Sequence, residues 1–239
     1  MNPPDTVAQD PTPAEPSHET KPRRRYFIQV EWWVPTLRGW LVLLVGALIL
    51  AGVIVEYAHP FLSPNAPLSD GVLVVEGWGD DEMMWQAVKT MDAGRYQTLY
   101  VTGMGIDRTS VFSEYGSQPE LSAAIIRQIS EGRVEPIPVV ADNVRKDRTY
   151  SSGLRLKEYM QSHGGIPKKI TLLSSGPHSR RSQLMFRKAF GDSAEIGIIA
   201  HQPAGYDPAH WWRDPEGIRT VVSEGVAYLY ARWLFWNFG

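Results

Sequence analysis

Between Gly39 and Val55 the chain carries no charged side chain. This run, inside "LRGWLVLLVGALILAGVIVEYAHP", stands at the short end of the roughly 17–25 residues that cross a bilayer as a helix. Trp40 and Tyr57 flank it, where amphipathic rings favour the headgroup level. Lys21, Arg23, Arg24, Arg25 and Arg38 precede the run, and Glu56 and His59 follow it. A buried helix of a soluble domain passes the same length test but has no reason for so one-sided a basic flank. Basic residues stay in the cytoplasm, so the sequence predicts a single-pass anchor over 38–58 in the plasma (inner) membrane. The N-terminus is then cytoplasmic and the chain after about residue 58 extracytoplasmic. A cleaved signal peptide fits less well, because its apolar core is about 7–15 residues and Glu56-Tyr57 lacks the small residues of a cleavage site.

Around this anchor the chain divides further. The tail over 1–37 opens with "MNPPDTVAQDPTPAEPSHETKPRRR", which is rich in proline and has no aromatic residue, so it buries too little apolar surface to offset the entropy of ordering. Residues 59–70, "HPFLSPNAPLSD", read as a linker, and 71–239 as one α/β domain. The chain's formal net charge of −2 gives no electrostatic footprint for nucleic acid as a partner. The membrane is the partner the sequence indicates. With no cysteine, disulfides, thiolate metal sites and a cysteine nucleophile are excluded.

The domain alternates short apolar runs with amphipathic ones. Strands are predicted at "VLVVE" (72–76), "TLYVT" (98–102), "PIPVV" (136–140, an edge by its prolines), "KITLLSS" (169–175, the most central-looking) and "EIGIIA" (195–200). Helices fall between them, capped by Asp80 or Asp81 and ended at Gly94, opened by Ser117 with Glu120, started near Thr149, and closed at Gly191. Runs apolar on both faces that alternate with helices predict a Rossmann-like three-layer α/β sandwich with a mostly parallel sheet. In such sheets ligands lie beyond the carboxyl ends of the strands.

Those ends carry Glu76, Gly77 and Trp78 after the first strand and Thr102 and Gly103 after the second. Arg148 and Thr149 follow the third, and "SSGPHSRRS" (174–182) the fourth. Glycine there permits close approach of backbone to a ligand, although "TGMG" is neither a dinucleotide fingerprint nor a P-loop. Glu76 is an exposed loop acid or a functional carboxylate. Trp78 packs or recognises, and Arg148 and Thr149 start a helix or touch a ligand. Pro177 suits a first helical turn, which places His178, Arg180 and Arg181 at a helix N-terminus. Cations there oppose the macrodipole unless something negative compensates. A bound anion, held also by free N–H groups, is that compensation, with a plain surface helix as the alternative.

"DGVLVVEGW", "LYVTG", the acidic helix start near Glu120, "DRTYSSGLRL" and "LLSSGPHSRRSQLMFRKAFG" together resemble the YdcF-like family of envelope proteins over about residues 70–230. The family's His-x-x-Arg lands on His178 and Arg181, and its threonine after the third strand on Thr149. Its common members have glycine at Glu76 and Thr-x-Glu-Asn where this chain has Thr149-Tyr150-Ser151-Ser152. "VEGW", "KDRTY" and Trp211-Trp212-Arg213 are similar to a sub-branch. The resemblance implies a Rossmann-like, often membrane-anchored domain connected with envelope integrity. Two functions follow. In one, a phosphorylated envelope precursor, lipid-linked or nucleotide-like, is held by Arg148, Arg180 and Arg181 with Gly77, Trp78, Thr102, Gly103 and Thr149 around it. His178 serves as acid/base, and Glu76 orients a hydroxyl or cation. In the other, the domain binds a ligand or partner without turnover. No metal-ligand spacing such as HExxH occurs, and the sequence names no cofactor. The C-terminal "GVAYLYARWLFWNFG", in a helix started by Asp214-Pro215, is too short to span a bilayer and either packs on the sheet or lies in the membrane interface.

Overall fold

The computed structural model describes residues 32–106, 114–202 and 204–237, with the backbone alone over 234–237. The tail, with Lys21 and Arg23 to Arg25, lies outside them apart from its last residues. The described residues divide after Leu44 into two units. In the first, the described chain is irregular from Trp32 to Thr36. Helix α1, Leu37–Leu62, is among the described residues the one helix long and apolar enough to cross a membrane.

The second unit holds an all-parallel sheet of β1 (Gly71–Glu76), β2 (Tyr96–Met104), β3 (Ile137–Ala141), β4 (Lys169–Ser175) and β5 (Glu195–His201) in the order β3-β2-β1-β4-β5. The predicted α/β sandwich is therefore present. The helices are α2 (Asp81–Asp92), α3 (Gln118–Ile129), α4 (Arg148–Ser162), α5 (Ser179–Phe190) and α6 (Pro215–Asn237). Leu73 and Val75 of β1 face Met83, Met84, Ala123 and Ile126 of α2 and α3. Val72 and Val74 face Leu156, Met160, Phe186 and Phe190 of α4 and α5 on the other side. The period of two in the strand meets the period of 3.6 in each helix, and the sheet is buried on both faces.

Asp80 and Ser117 are the N-caps of α2 and α3, accepting from Met83 N (2.9 Å) and Glu120 N (3.3 Å). β3 takes one edge of the sheet, as Pro138 favours. The centre belongs to β1, with β4 one place out. Both strands are buried nearly throughout, so apolarity alone does not rank them.

The stretch read as a linker is packed structure. α1 continues to Leu62, and Tyr206 Oη lies 3.2 Å from His59 Nε2. Ala66 pairs antiparallel with Ile198, and Leu68 N donates to Thr171 Oγ1 at 3.1 Å. Proline-rich chain here is ordered by contacts with β4 and β5 that composition cannot reveal.

α6 starts where expected, with Asp214 Oδ1 accepting from Glu216 N at 2.8 Å. It packs on α5 and on a 3-10 segment, Pro208–Arg213, rather than on the sheet. A Cβ at Gly217 would stand 2.3 Å from the Trp211 carbonyl oxygen. Gly217→Ala is expected to lower stability by about 1–3 kcal/mol through this overpacking, read as a shift of the urea midpoint in detergent. An unshifted midpoint would show that α6 can move away at no cost.

Candidate functional site

Strand order reverses between β1 and β4, since the chain winds outward through β2 and β3 and then returns to β4. Such a switch point opens a crevice at the carboxyl ends of the strands. Here it is a cleft of about 450 Å³. Among the predicted site residues it brings together Glu76, Trp78, Thr102, Gly103, Arg148, Thr149, His178 and Arg181, and it adds Gln118, Arg145 and Glu224.

At its floor, Glu76 is 3% exposed at the end of β1. Ser182 Oγ lies 3.0 Å from both of its oxygens, and Ser174 Oγ donates to Oε2. Its oxygens are thus engaged by the protein's own hydroxyls. Glu76 is thereby placed as an internal counter-ion to His178 at the floor of the cleft. Among the described residues no group of three or more acidic or histidine side chains is arranged to hold a metal ion.

His178 ends a 3-10 turn, Gly176–His178, that leads from β4 into α5. Its Nδ1 is 3.0 Å from Glu224 Oε1 and its Nε2 is 3.7 Å from Glu76 Oε1, a charge contact too long for a hydrogen bond. Burial disfavours the charged ring, and Arg181 opposes it too. Glu76 and Glu224 outweigh both and push the pKa up to about 9. The same contacts, with those of Arg181, hold Glu224 down at about 2 against its own burial. Glu76 is likewise lowered: burial raises it, and His178, Ser174 and Ser182 more than compensate. Arg181 Nη2 also stands 2.8 Å from Nδ1, so that nitrogen meets a guanidinium donor on one side and the Glu224 carboxylate on the other. With the pKa pushed up to about 9 the two carboxylates prevail and the ring carries its charge at neutral pH. Its buried Nε2 has no hydrogen-bond partner, and the Trp78 ring meets it edge-on at 4.8 Å.

The cations of the α5 first turn have their compensation inside the protein. Arg181 Nε and Nη2 reach Glu224 Oε2 and Oε1 at 2.9 and 3.1 Å, a two-point contact with a carboxylate on α6. A bound anion is not needed to explain Arg181. Arg180 is not brought to the site. Its guanidinium lies 4.2 Å from the Phe61 ring centroid and donates to the Phe61 carbonyl. Successive helical residues point about 100° apart at 3.6 per turn, so Arg180 and Arg181 cannot share one target.

The two glycines have a structural explanation. A Cβ on Gly77 would stand 3.2 Å from Gln118 O and Pro119 Cα, and one on Gly103 3.2 Å from Pro119 Cδ. The close approach they permit is that of the α3 N-terminus. Gly77 donates to Thr102 O and accepts from Ser122 Oγ, both at 2.7 Å. Thr102 is buried, with Oγ1 3.5 Å from Val75 O.

On the opposite wall α4 begins at Arg148. Asp147, its N-cap residue, is left-handed (φ 54, ψ 37) and its side chain makes no cap hydrogen bond. The first N–H groups of α4 therefore lack the acceptor an N-cap side chain supplies. They open beside Thr149, Arg145 and Arg148, whose Nε is 3.4 Å from Met104 Sδ.

Sequence reasoning missed Glu224, Arg145 and the two serines as partners of Glu76. Glu224 had a signal: it falls in register with Gly217, Val221, Tyr228 and Ala231 on the packed face of α6, where an acid demands a cation. No protein-family model matches this chain, and neither does any curated protein.

Proposed function

We propose that this is a membrane-anchored envelope protein whose cleft binds the phosphate of a small molecule or lipid-linked precursor, with the α/β unit outside the plasma membrane. The observation that carries the reading is the buried Nε2–H of a charged His178, without an acceptor of its own. His178 lines the same cleft as Thr149 in the first turn of α4, whose N-cap side chain makes no cap hydrogen bond, and as Arg145 and Arg148. All of these are donors or positive, and a phosphate oxygen satisfies them together. Three carboxylates and three arginines line the cleft, so the protonated histidine leaves it net positive. The volume suits a sugar phosphate or nucleotide. The resemblance to the YdcF-like family supports the envelope setting and the place of His178.

Arg148 is then the principal anion contact, and Arg181 positions His178 through Glu224. Arg148→Ala is expected to weaken binding by roughly 1.5–3 kcal/mol, the scale of a hydrogen bond to a charged group. Arg148→Lys restores part, because lysine lacks the planar fork. Arg180→Ala leaves affinity unchanged. Calorimetry of the detergent-solubilised chain with pyrophosphate, a nucleoside diphosphate and a polyprenyl phosphate reads this out. Failure of all three to bind would remove the proposal.

Binding without turnover is the stronger of the two functional readings. An imidazolium bonded to Glu224 at Nδ1 and faced by the charge of Glu76 at Nε2, with its pKa near 9, is a weak general acid at neutral pH. Hydrolysis of a bound phosphate ester, lost in His178→Gln while affinity persists, would instead favour the enzyme.

A further inference from the structure

Helix α6 has two apolar faces, and only one is used by the fold. Val221, Tyr228 and Ala231 pack inward with Gly217 and Glu224. Roughly opposite, Ile218, Val222, Val226 and Leu229 follow one another at spacings of three and four, each between 43% and 67% exposed. At 100° per residue these four fall within about 80° of one another, a continuous stripe about 17 Å long at 1.5 Å per residue. Scattered exposed apolar residues are ordinary, but a stripe of this length is a contact surface.

The anchor decides what covers it. Trp211, whose carbonyl abuts Gly217 at the start of α6, donates its indole N–H to the Val55 carbonyl at 2.9 Å. Val55 is the last residue of the uncharged run, so the beginning of α6 is tied to the point where α1 leaves the hydrocarbon. Further along, Tyr228 meets Phe61 of α1 edge-on at 5.6 Å, and Leu62 is buried with Val221. No flexible tether separates α6 from the bilayer. Arg219 and Arg232 border the stripe, where long cationic stems reach headgroup phosphates, and Tyr230 and Trp233 suit the same depth.

We infer that α6 is an interfacial helix, laid on the lipid surface beside the anchor with its outward stripe among the headgroups and upper acyl chains. The reading is independent of the cleft, because Glu224 lies on the other face of the helix. Membrane contact would then also brace the element that carries Glu224 to His178.

The chain has no cysteine, so single cysteines introduced one at a time can be spin-labelled without background. Labels at Val222, Val226 and Leu229, with Ser223 and Thr220 as controls, are placed on the full chain in phosphatidylethanolamine–phosphatidylglycerol vesicles. Collision with oxygen, which concentrates in lipid, is compared with collision with a water-soluble nickel complex. The stripe positions are expected to favour oxygen at least severalfold relative to the controls. Two results overturn the inference. Equal nickel access at stripe and controls would place the helix in water. Stripe labels shielded from both reagents and broadened by a neighbouring spin would make the cover a second copy of the chain. All the labelled residues except Thr220 are exposed, so the variants retain the fold, and Ile218 offers a further position.

Discussion

Glu76→Gln is expected to lower the unfolding free energy by about 3–5 kcal/mol, the cost of removing one member of a buried ion pair and leaving the other charge uncompensated. Glutamine matches the shape, so no cavity forms and the loss is electrostatic. The carboxylate is 3% exposed, accepts from two serine hydroxyls and faces His178 Nε2 at 3.7 Å. An amide presents one oxygen and two N–H groups to the same partners, so it opposes the imidazolium and competes with the serines. For a domain of this size each kcal/mol moves the midpoint by about 2–4 °C, which puts the fall near ten degrees. His178→Gln placed on top of Glu76→Gln should cost less than the two singles together, because the orphaned charge is gone. Thermal melts of the detergent-solubilised protein give the answer. A loss under 1 kcal/mol with His178 still titrating near 9 would mean that Glu76 is not its counter-ion.

This buried pair also shows how far the sequence could be read. "VLVVE" identified a buried strand and put an acid at its end, and Ser117 and Asp80 announced their helices through local chemistry that the structure reproduces. These features need only neighbours in the chain. The partner of His178 on its other nitrogen is Glu224, on a helix read for its apolar content, and partner choice across such a separation is tertiary. Gly77 and Gly103 signalled that something approaches closely, and the sequence offered a ligand where the fold supplies Pro119 and Gln118. Arg180 and Arg181 were read as one cluster although a helix turns them apart. Residues 59–70 read as a linker, yet α1 runs through Pro60 and the segment after it is held against β4 and β5. The local rules gave the elements, and charge pairing, which is long-range, gave the site its internal logic.

Stability is expected to fall by about 3 kcal/mol as pH rises from about 6.5 to 9 and beyond. The imidazole pKa is near 6.5 in the unfolded chain and is pushed up to about 9 in the fold, and each unit of difference is worth 1.36 kcal/mol. A raised pKa means the folded state binds the proton more tightly. The stabilisation is therefore complete below about 6.5 and is lost as pH climbs through 9. On the acid side the sign reverses. Glu224, held at about 2 against an ordinary 4.5, contributes stability that is present above 4.5 and lost as pH drops toward 2, and Glu76 acts in the same direction. These are the same contacts seen from either partner, so the losses are not added. The curve should be flat between about 4.5 and 6.5 and slope down on both sides. Tyr206, pushed up to about 12 by burial and then by Glu216, titrates above this window. Urea midpoints at pH 6, 7.5 and 9 would trace the alkaline limb, and Glu224→Gln should flatten it by removing the carboxylate at Nδ1. Imidazole nitrogen shifts at pH 7.5 provide a direct check, with both ring nitrogens of His178 protonated. A ring that titrates near 6.5, or a stability curve that is level to pH 9, would show that the two carboxylates do not hold the charge, and the phosphate-binding reading would lose its central donor.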